Sequence, residues 1–429
     1  MKTLKTRLVC ALAVLSLVAP LSLALTSLQR EGPSIGILAP SSELVKGALR
    51  GRAVTFSPTD FDTALGVHGV KAIEITALPL PEEGRLTLGG SEVKVGQRIT
   101  RRELSSLTFT PAVPTLTESG FHFKAEGIGL GESRCIVRFA EEMNYAPSTA
   151  HLTAALLSAS TQTGLSATGR LTAYDPEGDA LTYLITSYPK HGALILTDAE
   201  AGTYRYLPSE GYTGEDSFSY VARDVYGNYS KEAVVSLTVS KRALSHTYAD
   251  MEKDGSSAAA LTLEAKEIMQ SELVGDLRYF YPSREVTVTD FLVMVMKAAG
   301  IRPLSCETFF ENNDEIPIAQ RGYIARAQRE GYIVGELSEV GLVLDVTKTV
   351  TRAEAAVIVS KILDSSGEPS ALSVFADADA IPARAKAAVY TAYELGLLSL
   401  TESGSIDADA PLTRSDAAEM LANLMTHLS

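Results

Sequence analysis

Two arginines stand where a guanidinium has little local reason to be. Arg352 and Arg414 each follow a threonine that opens a helix, in Thr351-Arg352-Ala353-Glu354 and Thr413-Arg414-Ser415-Asp416. At the first helical position the macrodipole disfavours a cation by a few tenths of a kcal/mol. A guanidinium beside free helix amides suits the carboxylate of a bound ligand, held bidentately. It equally suits an ion pair with an acidic neighbour on an adjacent unit, in which case it only holds units together. The sequence leaves both roles open. Catalytic chemistry has no comparable signal: the six histidines are isolated at 68, 122, 151, 191, 246 and 427. There is no zinc-ligand spacing, nucleophile elbow, phosphate loop or dinucleotide fingerprint. The chain is expected not to be an enzyme.

The elements that must position these arginines recur about every 60 residues. Thr287-Val288-Thr289-Asp290 joins the other two tetrads as a third capping box, with Thr accepting from the N3 amide and the carboxylate reaching back to the cap amide. Each is followed by an apolar helix pattern, such as Phe291 to Met296 after the first. Phe310 and Phe375 stand six residues before Ile316-Pro317 and Ile381-Pro382, and Gly331 and Gly396 follow fifteen residues after each Ile. Pro near a helix start and Gly at its end are the expected boundary residues. The unit is therefore loop, helix, Gly-containing turn, variable loop, capped helix, three times over. The first copy departs most: Tyr248-Ala249-Asp250 opens it, Ser271 is aligned with the glycines and Val288 replaces Arg.

These features resemble a triplet of S-layer homology repeats over about residues 243–429, with repeats at 243–304 (degenerate), 305–368 and 369–429. The resemblance implies an all-α bundle around a pseudo-threefold axis that anchors a protein noncovalently to secondary cell-wall polysaccharide, an acidic or pyruvylated glycan. It implies that Arg352 and Arg414 contact the acidic sugar. Asp250 and Asp377, with Gly331 and Gly396, would help line the grooves. Asn312 stands in place of the second Asp, and Val288 and Ser271 make the first repeat a scaffold more than a binding surface.

Upstream the pattern changes to alternating runs such as Lys71 to Thr76 and Ser217 to Ala222, separated by Gly, Pro and Asp turns. This is the signature of antiparallel sandwiches. Ile75-Thr76-Ala77-Leu78-Pro79 through Leu88 parallels Ile185-Thr186-Ser187-Tyr188-Pro189 through Leu196, and Leu107 to Pro111 parallels Tyr204 to Pro208. Two all-β modules follow, at 35–143 and 144–241. The second is similar to bacterial cadherin-like or immunoglobulin-like modules through Asn144-Tyr145-Ala146-Pro147, Asp175-Pro176-Glu177-Gly178-Asp179 and Gly214-Glu215-Asp216-Ser217-Phe218. That resemblance implies Ca²⁺ on loop carboxylates, the candidates being Asp175, Glu177, Asp179, Asp216 and Asp224. Hard oxygen ligands suit Ca²⁺; the same residues are also ordinary turn formers. The first copy has Thr117-Glu118-Ser119-Gly120 at the corresponding place, so no ion is expected there.

Charge and compartment agree with export. Of the net charge of −14, residues 245–429 carry −13, from 28 acidic and 15 basic residues. No basic stripe exists to neutralise phosphates, so nucleic acid is excluded as a partner. Lys2, Lys5 and Arg7 precede an apolar run from Leu8 to Ala24, which reads as a signal peptide cleaved after Ala24, the alternative being an uncleaved anchor. No second run is long enough to span a bilayer. Cys135 and Cys306 fall in different domains and read as buried apolar residues. The expected protein is extracellular and wall-bound, with β-modules as a stalk or surface-layer component beside surface-layer proteins. The alternative is an adhesin whose β-modules bind an external ligand. Absence of Trp and only 7% aromatic residues argue against aromatic sugar platforms.

Overall fold

The computed structural model describes residues 43–428, apart from 68, 129–130, 253, 306–307, 340, 366–374 and 402. The expected signal peptide, the start of the first module at 35 and Cys306 lie outside the described residues. Sheets fill the N-terminal part and helices dominate the C-terminal part.

The first module packs a sheet ordered β1 (Glu43–Leu49), β9 (Glu132–Ala140), β8 (Glu118–Ala125), β3 (Ala72–Ala77), β6 (Arg98–Thr100). Facing it is a sheet ordered β2 (Val54–Thr55), β7 (Leu107–Pro111), β4 (Gly84–Leu88), β5 (Ser91–Glu92). The second module repeats this plan. Its sheets are β10 (Ser158–Gln162), β16 (Ala233–Ser240), β15 (Gly214–Arg223), β12 (Thr182–Ser187), and β11 (Ala167–Arg170), β14 (Thr203–Pro208), β13 (Gly192–Asp198). In both, the first strand runs parallel to the last, β1 with β9 and β10 with β16. Strand β16 alternates buried and exposed at every residue, so period-2 patterning alone sets its face. Gly84 and Gly192 hold equivalent places: a Cβ on Gly84 would lie 2.6 Å from the Phe109 ring, and one on Gly192 would strike the Tyr206 ring. Only glycine lets the aromatic of the neighbouring strand lie across it.

The first module is not purely β. Helix α1 (Pro58–Leu65) is closed by a reciprocal capping box between Ser57 and Asp60 and ends at left-handed Gly66. Its Phe61 is fully buried, with its ring 5.3 Å from that of Phe123. Cys135 is buried in the same core.

The C-terminal region contains α2 (Ser257–Ala265), α3 (Val288–Ala298), α4 (Ile318–Arg329), α5 (Arg352–Ile362), α6 (Ala383–Glu394) and α7 (Arg414–Leu428). It is not all-α either. Two hairpins, β17 (Glu272–Val274) with β18 (Leu277–Tyr279) and β19 (Glu336–Ser338) with β20 (Gly341–Val343), occupy variable loops of the first and second units.

Backbone hydrogen bonds link the three units in a closed ring. The Val286 amide donates to Leu412 O at 3.0 Å, Leu412 to Val350 O at 2.8 Å, and Val350 to Val286 O at 2.9 Å. A second ring is made two residues further along each segment, from Val288 to Lys348 O, Arg352 to Ala410 O and Arg414 to Arg284 O. Each donor sits beside a capping threonine, so the residues that start the helices also close the ring. Inside it pack Phe291, Leu292, Val295, Ala355, Val359, Ala417, Met420 and Leu421.

Two details differ from the sequence reading. Thr287 caps the Asp290 amide at 3.1 Å, but Asp290 does not reach back and instead accepts from Gln320 Nε2, so the first box is half made. The residue equivalent to Gly331 and Gly396 is Glu267, not Ser271. All three are left-handed, with φ of 57°, 72° and 66°. The amide that follows each bonds back into the helix, Ile268 to Leu263, Tyr332 to Ala327 and Leu397 to Ala392. That is one Schellman turn repeated three times; the alignment on Ser271 slipped because glutamate at a left-handed site gives no sequence signal.

Candidate functional site

Three seams arise where each capped helix meets the next unit. In the seam between units two and three, Arg352 is only 6% exposed. Its Nε donates to Ile406 O at 2.8 Å and one terminal nitrogen to Ser399 O, while the other stands 3.2 Å from Asp416 Oδ1. Every nitrogen of this guanidinium is engaged inside the protein. Of the two roles left open by sequence, the packing matches the one that joins units.

Arg414, in the seam between units three and one, is held the same way but lies less deep. Its Nε donates to Phe280 O at 2.8 Å and Nη2 to Gln270 O at 2.7 Å, with the guanidinium 4.6 Å from the Phe280 ring centre. Burial, then the neighbouring Arg284 guanidinium, lowers its pKa. Arg284 itself lies 4.2 Å from the Tyr281 ring centre and pairs with Glu272 at 2.9 Å. Tyr281 stacks on Tyr279. Two guanidiniums, one of them paired with Glu272, thus lie over aromatic rings in this seam, and Arg284, Tyr279 and Tyr281 were not singled out from sequence. The available signal was an arginine three places before the cap at Thr287, where the other units have Lys348 and Ala410.

The acids that open the units organise loops. Asp250 accepts the amides of Phe280 and Tyr281 at 3.0 and 2.7 Å; Asp377 accepts those of Ile406 and Asp407 at 2.8 and 2.9 Å. Tyr281 and Asp407 are thereby held left-handed, at φ of 57° and 50°. Asn312 accepts only the Leu344 amide and returns a bond to Leu344 O. In the first unit, burial works against the charge of Glu264, but hydrogen bonds from Tyr248, Ser271 and His246 hold its pKa below the ordinary value. Ser271 thus orders a carboxylate instead of lining a groove.

Gly331 faces open space, its carbonyl capped by Lys361 Nζ at 2.6 Å. Gly396 does not: the second module's Ala155 lies against it, and Asn423 caps its carbonyl.

The second candidate is acidic. Oxygens of Asp175, Asp179 and Asp224 lie within 4.8 Å of one another. Asp175 Oδ1 accepts the amides of Glu177 and Asp179, while its Oδ2 is buried without a partner. Burial, reinforced by neighbouring carboxylates, raises the pKa of both Asp175 and Asp224. Asn144 on the linker closes the group, donating to Asp179 Oδ2 at 2.5 Å and accepting from Asn228 at 2.7 Å. Glu177 stands at the edge, taking the Tyr145 amide. Asp216 does not join: it lies at the other end of β15, its oxygens filled by the amides of Lys190, His191 and Ser217 and the Tyr206 hydroxyl. No lysine or arginine pairs with the three clustered acids among the described residues.

Residues 144–241 match the bacterial cadherin-like domain. Residues 374–418 match the S-layer homology domain, in the third unit alone, although the sequence pattern runs over three. The chain therefore carries these two domain types in that order; both are noncatalytic, and the second indicates association with the cell surface. No curated protein matches the chain. Among solved structures it is similar to an endo-fucoidan hydrolase of glycoside hydrolase family 107, MfFcnA4, at 21% identity over 49% of this chain and 30% of that one, TM-score 0.18. It is also similar to Drosophila N-cadherin EC1-3, at 14% over 47% and 66%, TM-score 0.21. A third is the surface layer protein SbsC, domains 1-6, at 16% over 39% and 20%, TM-score 0.17. The chain thus spans under a third of the first of these, and scores this low carry no argument. Among the described residues no helix is long and apolar enough to cross a membrane.

Proposed function

We propose that the chain is an exported surface protein held noncovalently on secondary cell-wall polysaccharide by its C-terminal region, with the β-modules as a stalk or surface-layer component. The observation that carries this is the ring of amides at Val286, Leu412 and Val350. It supports reading the units before the S-layer homology match at 374–418 as two further repeats of a pseudo-threefold bundle. The seam of Arg414 and Arg284 is the proposed contact for an acidic or pyruvylated sugar, since a guanidinium pair offers charge-assisted bonds to a carboxylate. The test is sedimentation of the mature chain with purified walls before and after chemical removal of the polysaccharide. Binding that survives removal refutes the reading.

We further propose a Ca²⁺ site on Asp175, Asp179 and Asp224, with Asn144 beside it. The buried, unpartnered Oδ2 of Asp175 supports it, because a third uncompensated acid in this place is costly without a cation. The ion would supply positive charge only. Its place beside the linker residue Asn144 makes stiffening of the module junction the expected consequence.

A further inference from the structure

The three seams are equivalent in backbone but not in what covers them. In the Arg352 seam, the wall contributed by the third unit is the turn from Gly396 to Ser399 together with the loop from Gly404 to Ile406. The second β-module touches both parts of it. Thr153 Oγ1 donates to Glu394 O at 2.6 Å, filling a carbonyl that the end of α6 leaves without a helical partner. A Cβ on Gly396 would stand 3.4 Å from that of Ala155, and one on Gly404 would stand 3.7 Å from an Arg170 nitrogen. Leu156 and Leu165 pack against the helical core. A second tether lies on the first unit, where buried Gln162 donates to Ala258 O and Thr262 Oγ1 and accepts the Ala243 amide. Among the described residues, nothing lies within 4 Å of a Cβ at Gly331, the turn of the Val288 seam, and Glu267 and Gln270 of the turn that walls the Arg414 seam are exposed.

We infer that the second β-module is a built-in cover over the Arg352 seam, docked at two points, so that the chain binds through the Arg414 seam alone. The valency part rests on the wall-binding reading above; the docking part does not. Val288 leaves the remaining seam without a signature arginine. The consequence is a monovalent anchor whose stalk leaves the wall in one fixed direction.

A disulfide tests it. Ala155→Cys with Gly396→Cys places two Cβ atoms 3.4 Å apart, close to the ~3.8 Å mean of natural bridges. In a Cys306→Ser background, mild oxidation of the mature chain is expected to cross-link the pair fully. The locked form should bind purified walls within about twofold of its reduced form. Absence of the cross-link in a folded chain overturns the docking. A locked form that loses tenfold or more, with binding restored by reductant, shows that the cover must lift and overturns the valency. If neither form nor the parent sediments, the wall-binding reading falls and the cross-link still reports the docking. Should cysteine at left-handed 396 prevent folding, hydrogen exchange on the unaltered chain decides: amides 397–399 are expected to exchange at least tenfold slower than 332–334, and equal rates refute the cover.

Discussion

Replacing Arg352 by alanine removes two bonds from a cation to the carbonyls of Ile406 and Ser399 and the pairing with Asp416. Bonds to charged groups contribute about 1.5–3 kcal/mol each, and breaking a buried pair costs about 3–5 kcal/mol. Asp416 keeps 30% of its side chain exposed and water recovers part of its loss, so the lower figure applies, about 3 kcal/mol in all. For a region of this size that is a fall of roughly 6–12 °C in melting temperature. Calorimetry or circular dichroism of the mature chain measures it. Arg352→Lys should lie between parent and alanine, keeping the charge but not the two-carbonyl fork. Arg414→Ala should behave differently, with a smaller loss of stability and at least tenfold weaker wall binding, because its seam is open. The reasoning is refuted if Arg352→Ala melts within about 0.5 kcal/mol of the parent while losing wall binding. Arg352 would then be the ligand residue after all.

Other expectations follow from single geometries. Ca²⁺ should raise the melting temperature of the mature chain, by about 2.7 kcal/mol of stability at a hundredfold excess over the dissociation constant; Asp175→Asn should abolish the shift, and an unchanged melt in millimolar Ca²⁺ refutes the site. Glu267→Gly should stabilise by up to about 1 kcal/mol, since a left-handed glutamate is strained and glycine is not; a loss on denaturant unfolding would show that its side chain matters more. Half-buried Glu419 is pushed up to about 7 by burial and by Asp254 and Asp416, against Arg352. The folded state therefore holds an extra proton between the ordinary carboxylate range and about 7, so stability falls as pH rises through that window. Glu419→Gln should be stabilising at pH 8 and nearly neutral at pH 4, and a pH-independent difference would contradict this.

What was legible in the sequence was what is local. A cap, a Schellman turn and a period-2 strand each need only a few neighbouring residues, which is why Thr351, Gly396 and the run from Lys71 to Thr76 could be placed. The Ser57-Pro58-Thr59-Asp60 start of α1 had the same kind of signal and was lost inside a β-rich stretch. The role of Arg352 was illegible for a different reason. An arginine at a helix start looks the same whether its partner is a sugar or the Asp416 carboxylate 64 residues on, and only packing supplies Ile406, Ser399 and Asp416. Asp216 lies near the start of β15 and Asp224 just past its end, so the length of the strand separates two acids that composition groups together.

The opening acids show how scaffold and site are divided among the units. A carboxylate has acceptor capacity for two amides, whereas a side-chain amide offers one oxygen. Asp250 and Asp377 accordingly each pin two successive amides and fix a left-handed residue, at Tyr281 and Asp407. Asn312 pins one. The pinned loops carry the seam-facing chemistry, and there the units diverge: Tyr281 with Arg284 in the first, Asp407 with Ala410 in the third. Positions that close the ring are thus repeated while positions on the loops are free to change. This explains how a first unit that lacks the signature arginine still supplies the cationic, aromatic wall against which Arg414 is held. Its missing arginine empties the seam toward the second unit and leaves the seam toward the third intact.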